Sequence, residues 1–110
     1  MTQDVVILDG ARTAIGTFGG ALAATPPTAL AAAVARSNVD PGMIGHVVFG
    51  HVINTEARDM YLSRVAAIDA GIPDSVPALN VNRLCGSGAQ AIVSAAQHIM
   101  LGDADFALAG

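Results

Sequence analysis

Short apolar runs alternate along the chain with segments that carry helix signals. Four of the runs predict β-strands because turn residues bound them: Val5–Leu8, His46–Val52, Ala78–Leu84 and Phe106–Ala109. In the first, second and fourth runs, polar and apolar residues do not alternate. Continuous apolar runs are typical of strands in a parallel sheet that is covered on both faces.

Three helices are predicted between these strands: Thr28–Arg36, Met60–Ala70, and a segment that begins just after Cys85 and ends near Leu101. Asp59 is the predicted N-cap of the second helix, and Asn38 belongs to the turn that follows the first. Gly71 and Gly102 are the predicted stop signals of the second and third helices. The apolar residues of the third helix follow the spacing of an amphipathic helix.

The alternation of strands and helices predicts an α/β fold built from right-handed βαβ units. A chain of 110 residues has room for one domain, residues 1–110. Because the fourth strand begins shortly before Gly110, part of the predicted sheet would stay uncovered. We therefore expect a larger native unit that continues past Gly110, or a second chain that covers the sheet.

Composition and charge argue against several classes of function. The chain has five arginines, no lysine, nine acidic residues and a formal net charge of −4. The arginines are scattered, whereas phosphate binding needs clustered cations, so no nucleic-acid partner is predicted. One cysteine excludes an internal disulfide. The N-terminus lacks the features of a signal peptide and no apolar run is long enough to span a bilayer, which predicts a soluble, cytoplasmic protein without a membrane partner.

The segment with the most chemical information is Asn80–Ala91, with the sequence NVNRLCGSGAQA. Cys85 falls between a predicted strand and a predicted helix, and Gly86 and Gly88 would permit a sharp turn there. The N–H groups and positive dipole of the helix would then lie near the sulfur. Such a setting increases the thiolate fraction of a cysteine and can stabilise an oxyanion, as in a nucleophile elbow. Cys85 is therefore the candidate catalytic nucleophile.

Two other interpretations of this segment stay open on the residues alone. A single cysteine in a small apolar protein often only fills the core, although such a residue needs no flanking glycines. Gly86-Ser87-Gly88 is a weak match to a phosphate-binding loop, because it lacks the third spaced glycine of a dinucleotide fingerprint and the Gly-Lys-Ser/Thr of a P-loop. The three histidines lack metal-ligand spacing, so no metal site is predicted.

Several motifs resemble those of the thiolase family, in order and at nearly the family's spacing. Asn82–Gly88, followed by Gln90-Ala91-Ile92, resembles the active-site cysteine motif. Further segments resemble other family signatures: Ala11–Gly20, His46–Gly50 with Val52, Asp59–Ala67 and Leu101–Asp103. Asp59–Ala67 looks most like the β-ketothiolases of bacterial polyester synthesis.

The resemblance implies a thiolase-like α/β fold with a mixed, five-stranded sheet, of which four strands are visible here, and helices on both faces. It implies ping-pong acyl transfer in which Cys85 takes the acyl group of an acyl-CoA and passes it to a second acyl-CoA, or the reverse thiolysis of a 3-ketoacyl-CoA. Leu84 and Met60 are candidate substrate-binding residues, with core packing as the alternative for Met60. Coenzyme A would be a substrate and not a permanently bound cofactor, and the full-length protein would be a homo-oligomer, a dimer or tetramer.

In two respects, the sequence departs from the family pattern. The Ala29–Asn38 region is about one helical turn shorter than usual. The family's second half, its substrate loop domain, its catalytic histidine and its second catalytic cysteine are absent from these 110 residues. We therefore expect the isolated chain to be inactive. A thiolase-like module that has lost catalysis and acts by association with another chain is the alternative function.

Overall fold

The computed structural model describes residues 3–36 and 39–110, which form three α-helices, three β-strands and two short 3₁₀ helices. The α-helices are α1 (Pro27–Ala35), α2 (Leu62–Asp69) and α3 (Ser87–Met100). The strands are β1 (His46–Gly50), β2 (Ala78–Val81) and β3 (Ala107–Ala109). The 3₁₀ helices are Pro41–Met43 and Ala57–Tyr61. Across these ranges, no helix is both long enough and apolar enough to cross a membrane.

The three strands form one parallel sheet in the order β2-β1-β3, so β1 lies in the centre. Val47 and Phe49 of β1 pack in the larger core, with α1 and α2, whereas Val48 packs with Ala91 and Ala95 of α3. Successive side chains of a strand point to opposite faces, so helices cover both faces of the sheet. The predicted α/β class with helices on both faces is confirmed.

The predicted first strand, Val5–Leu8, is not a strand. Ile7 is 80% exposed, and the segment lines a cavity of about 490 Å³ whose lining also includes residues of α1, β1, α3 and β3. A strand needs a neighbour that completes its hydrogen-bond ladder, and none of the described strands pairs with this segment. The described sheet therefore has three strands instead of the expected four, and all three are parallel, so the antiparallel member of a mixed sheet is not among them.

The other predicted elements form, with shifted ends. The two strands predicted to end at positions 52 and 84 end at Gly50 and Val81, and the helix predicted from position 60 begins at Leu62. Both glycine stop signals are confirmed. Gly71 and Gly102 follow the C-caps of α2 and α3 with φ of +87° and +83°, a conformation that glycine adopts without steric cost. The turn signal predicted at Asn38 lies outside the described residues.

Candidate active site

The candidate site lies at the edge of the sheet where β1 and β2 both end. Because the two strands are parallel, the loops that follow Gly50 and Val81 leave from the same edge. The His51 N–H donates to the Val81 carbonyl at 2.9 Å, which joins the two loops. Cys85 lies in the second loop, between β2 and α3, as an exposed free thiol. A cysteine that only fills the core would be buried, so the exposure of Cys85 argues against that interpretation.

Side-chain hydrogen bonds hold the turn before Cys85 in an unusual conformation. Leu84 has a φ of +49°, and no other non-glycine residue in the described part of the chain has a positive φ. Its N–H donates to Asn82 Oδ1 at 3.0 Å, and its carbonyl accepts the Ser87 hydroxyl at 2.6 Å and the Ser87 N–H at 3.0 Å. Ser87 Oγ also accepts the Arg83 N–H at 2.8 Å. These hydrogen bonds offset the steric cost of left-handed backbone at a leucine.

The glycines on either side of Ser87 do not provide the turn in the way that the sequence predicted. Gly86 has φ of −87° and ψ of 5°, which other residues also adopt, and a Cβ added at Gly88 would meet nothing within 4 Å. The close approach is at Gly50 instead, where a Cβ would lie 2.7 Å from the Cβ and carbonyl carbon of Ser87. The missing side chain at the end of β1 therefore lets the start of α3, and with it Cys85, lie against the sheet.

The electrostatics near the thiol come from the start of α3. The helix is 14 residues long, and its N-cap Gly86 provides no side-chain hydrogen bond to the first turn. Uncapped N–H groups and the positive end of the helix dipole favour negative charge nearby. The guanidinium group of Arg83, two residues before Cys85, donates to Gln90 Oε1 at 2.7 Å. The N–H groups at the start of α3 can stabilise the oxyanion that forms when a thiolate attacks a carbonyl group.

The two candidate substrate-binding residues lie on the surface of the molecule. Leu84 is 68% exposed and directly precedes Cys85. Met60 is 59% exposed and belongs to the 3₁₀ helix Ala57–Tyr61, so it does not pack in the core. The Met60 carbonyl accepts Asn80 Nδ2 at 3.1 Å, which ties this 3₁₀ helix to β2. Both side chains are therefore available for contact with a ligand.

Asp59 has a different role from the one that the sequence predicted. It is not the N-cap of α2, because it lies inside the preceding 3₁₀ helix and α2 begins at Leu62. Its buried carboxylate accepts the Thr55 hydroxyl at 2.6 Å and the Thr55 N–H at 2.7 Å. The hydrogen bonds from Thr55, before any other cause, lower the pKa of Asp59 below its usual value. In the structure, the side chains of Glu56 and Asp59 form a capping box, which holds the loop between β1 and α2.

The three histidines make contacts at two separate places. His98, in the last turn of α3, pairs with Asp103 at 2.9 Å through Nδ1 and stacks on His46 with ring centroids 3.8 Å apart. Burial and the neighbouring His98 lower the pKa of His46. His51 Nε2 lies 4.0 Å from Asp59 Oδ2. In the ranges 3–36 and 39–110, no three side chains of His, Cys, Asp or Glu are grouped so that they could hold a metal ion.

The sheet and the cysteine turn define an α/β domain with an exposed thiol between a strand and a helix. The family model for the N-terminal domain of thiolases matches residues 5–110, so the chain belongs to the thiolase family.

Particular relatives match most or all of the chain. The curated protein Beta-ketothiolase BktB from Cupriavidus necator is 59% identical in an alignment that covers 100% of this chain and 29% of that protein. Among solved structures, the acetyl-CoA acetyltransferase from Bacillus anthracis matches with a TM-score of 0.91 and 39% identity, over 99% of this chain and 29% of its own. Human mitochondrial 3-ketoacyl-CoA thiolase in complex with CoA has a TM-score of 0.78 and 36% identity, over 81% of this chain and 24% of its own. The chain therefore spans less than a third of the length of these relatives.

Proposed function

We propose that the chain is the nucleophile-bearing part of a thiolase, and that Cys85 carries the acyl group during transfer. The observation that carries this proposal is the position of the thiol. Cys85 is exposed and free, on a turn that Asn82 and Ser87 hold by hydrogen bonds and that Gly50 allows to lie against the sheet. Membership of the thiolase family supports the same assignment.

The reaction begins when the Cys85 thiolate attacks the carbonyl carbon of an acyl-CoA thioester. Charge develops on the former carbonyl oxygen, and the backbone N–H of Cys85 is one donor to it. The carbon–sulfur bond to coenzyme A then breaks, coenzyme A leaves as a thiolate that takes up a proton, and the acyl group stays on Cys85. A second acyl-CoA, deprotonated at its α-carbon by a base outside these 110 residues, attacks that acyl group. A carbon–carbon bond forms, the bond between the acyl carbon and Cys85 Sγ breaks, and Cys85 leaves as the regenerated thiolate. The product is a 3-ketoacyl-CoA, and thiolysis is the reverse reaction.

Relatives support an acyl-CoA substrate. They include a protein named Beta-ketothiolase and a 3-ketoacyl-CoA thiolase whose structure contains CoA. In this chain, the exposed apolar side chains of Leu84 and Met60 are our candidates for contact with the acyl group. Coenzyme A is released in each turnover and is not a resident cofactor. The natural protein would act in the cytoplasm as a dimer or tetramer.

Intact-mass spectrometry tests the proposal in the natural protein that contains this chain. After mixing with acetyl-CoA, we expect one acetyl adduct, which peptide mapping places on Cys85. Cys85→Ser keeps the shape of the side chain but removes the thiolate, so it should form no adduct. Circular dichroism of both proteins controls for the fold. An acetyl adduct that persisted on another residue in Cys85→Ser would refute the assignment.

The isolated 110 residues would not catalyse thiolysis, because the proposed base for the second substrate is not among them. The alternative is a thiolase-like module that has lost catalysis and acts by association with another chain. It predicts that Cys85 of the natural protein forms no acetyl adduct, so the same measurement separates the two functions.

A further inference from the structure

We infer that Asn82 is a positioning residue for the acylation of Cys85 and acts through the backbone of Leu84. The inference rests on the proposed function of Cys85 as the acyl carrier. Asn82 is the first residue after β2, and its side chain makes hydrogen bonds to both loops that leave this edge of the sheet.

The amide of Asn82 bridges two backbone groups of opposite type. Its Oδ1 accepts the Leu84 N–H at 3.0 Å, and its Nδ2 donates to the Val52 carbonyl at 3.4 Å. One partner needs an acceptor and the other needs a donor, so the two partners together fix the orientation of the amide. An aspartate at this position would offer only acceptors and would add a negative charge close to the thiol. The neutral amide therefore fits both its partners and the chemistry beside it.

Leu84 transmits the effect of this bridge to the thiol. Its φ of +49° sets the direction in which the chain enters Cys85. Because left-handed backbone is disfavoured for leucine, Leu84 would relax to negative φ unless the peptide groups on both sides were held. Asn82 holds the N–H, and Ser87 holds the carbonyl. Removal of the Asn82 side chain frees the Leu84 N–H. The relaxation of Leu84 then moves the Cys85 sulfur relative to the start of α3.

Two reactions of the same thiol distinguish positioning from a general contribution to the fold. Acylation needs the sulfur aligned with a thioester carbonyl and with the donors to its oxygen, whereas alkylation by iodoacetamide needs only an accessible thiolate. A Cys85 that is displaced but still exposed therefore loses acylation and keeps alkylation. A residue that only stabilised the fold would affect both rates alike.

The experiment measures both rates at Cys85 in the natural protein that contains this chain. Asn82→Ala removes both hydrogen bonds, and Asn82→Ser keeps a neutral oxygen that accepts a local N–H more weakly than asparagine does. Asn54→Ala, at an exposed position in the loop after β1, is the control. We expect Asn82→Ala to slow acetylation by acetyl-CoA about tenfold or more, since small displacements of a nucleophile are costly. Asn82→Ser should recover part of this loss, and the control should match the parent in both rates. In Asn82→Ala the alkylation rate should fall much less than the acetylation rate, because alkylation does not need the sulfur aligned with a thioester carbonyl.

Each contrary outcome has a distinct meaning. If Asn82→Ala were acetylated at the parent rate, the inference would be overturned and the proposed function would stand. Equal losses in acetylation and alkylation would also overturn the inference, because they indicate a general disturbance of the fold. If the parent protein formed no acetyl adduct at Cys85, the proposed function and the inference would fail together.

Discussion

The substitution Gly50→Ala tests how the turn at Cys85 is built. The added methyl group would lie 2.7 Å from two carbon atoms of Ser87 and 2.9 Å from the nitrogen of Gly88. Ordinary van der Waals contact begins at 3.4 Å, so these distances are too short by about 0.5–0.7 Å. Two of these three atoms, the Ser87 carbonyl carbon and the Gly88 nitrogen, belong to the backbone. The contact is therefore relieved only when the start of α3 moves away from β1.

An extra methyl group in a packed region costs about 1–3 kcal/mol. We expect Gly50→Ala to lie in the upper part of this range, because backbone yields less easily than the end of a flexible side chain. Gly88→Ala is the matched control. Gly88 lies in α3, a Cβ there meets nothing within 4 Å, and its φ is not positive. Alanine is favoured over glycine inside a helix by up to about 1 kcal/mol, so the control should be neutral or stabilising.

Urea denaturation followed by circular dichroism compares both variants with the parent protein, provided that their m-values agree. Gly50→Ala should unfold at a lower urea concentration, and Gly88→Ala should not. The acetylation rate of Cys85 should also fall in Gly50→Ala under conditions where the variant is folded, because the turn moves with the start of α3. If Gly50→Ala kept both the parent's urea midpoint and its acetylation rate, the close approach of α3 to β1 would not position Cys85.

Two further predictions concern buried polar groups. Ser87→Ala removes the hydroxyl that accepts the Arg83 N–H and donates to the Leu84 carbonyl. It should lower the free energy of unfolding by about 1–3 kcal/mol, and an unchanged urea midpoint would contradict this. Burial and the neighbouring His98 lower the pKa of His46, so the unfolded chain binds a proton at a higher pH than the folded chain. The contribution of His46 to stability is therefore complete above about pH 6.5 and is lost as the pH falls below it. Thermal denaturation from neutral to acidic pH should show a shallower decline for His46→Gln than for the parent, and equal slopes would exclude this role.

Elements that depend on local sequence were predictable. The central strand β1 is buried from His46 to Phe49, as a continuous apolar run in a sheet covered on both faces should be. The ends of α2 and α3 follow from Gly71 and Gly102, because a left-handed residue after a helix favours glycine whatever the rest of the fold does. The loop that holds Asp59 was less predictable, because Asp59 was expected to be the N-cap of α2. The box that begins at Glu56 forms, and it places Asp59 inside a 3₁₀ helix instead of before α2.

Pairing between distant segments was not predictable in this way. Val5–Leu8 has the composition of a strand, but a strand forms only beside a partner, and the composition of a run does not contain that partner. The described sheet therefore lacks the strand that the apolar run predicted. The same limit applied to Gly50, which lay inside the predicted strand His46–Val52 and gave no local sign of contact with Ser87.

The position of Cys85 was predictable from its motif, but the means by which it is held was not. The flanking Gly86 and Gly88 suggested a turn that depends on the freedom of glycine, whereas the left-handed residue is Leu84. The turn is therefore imposed by hydrogen bonds from Asn82 and Ser87 and is admitted by Gly50, far earlier in the chain. A sequence with the same cysteine motif and a larger residue in place of Gly50 would have to move α3 away from the sheet. In such a chain the motif would be intact while the thiol was displaced, so the motif alone is not sufficient to identify a working nucleophile.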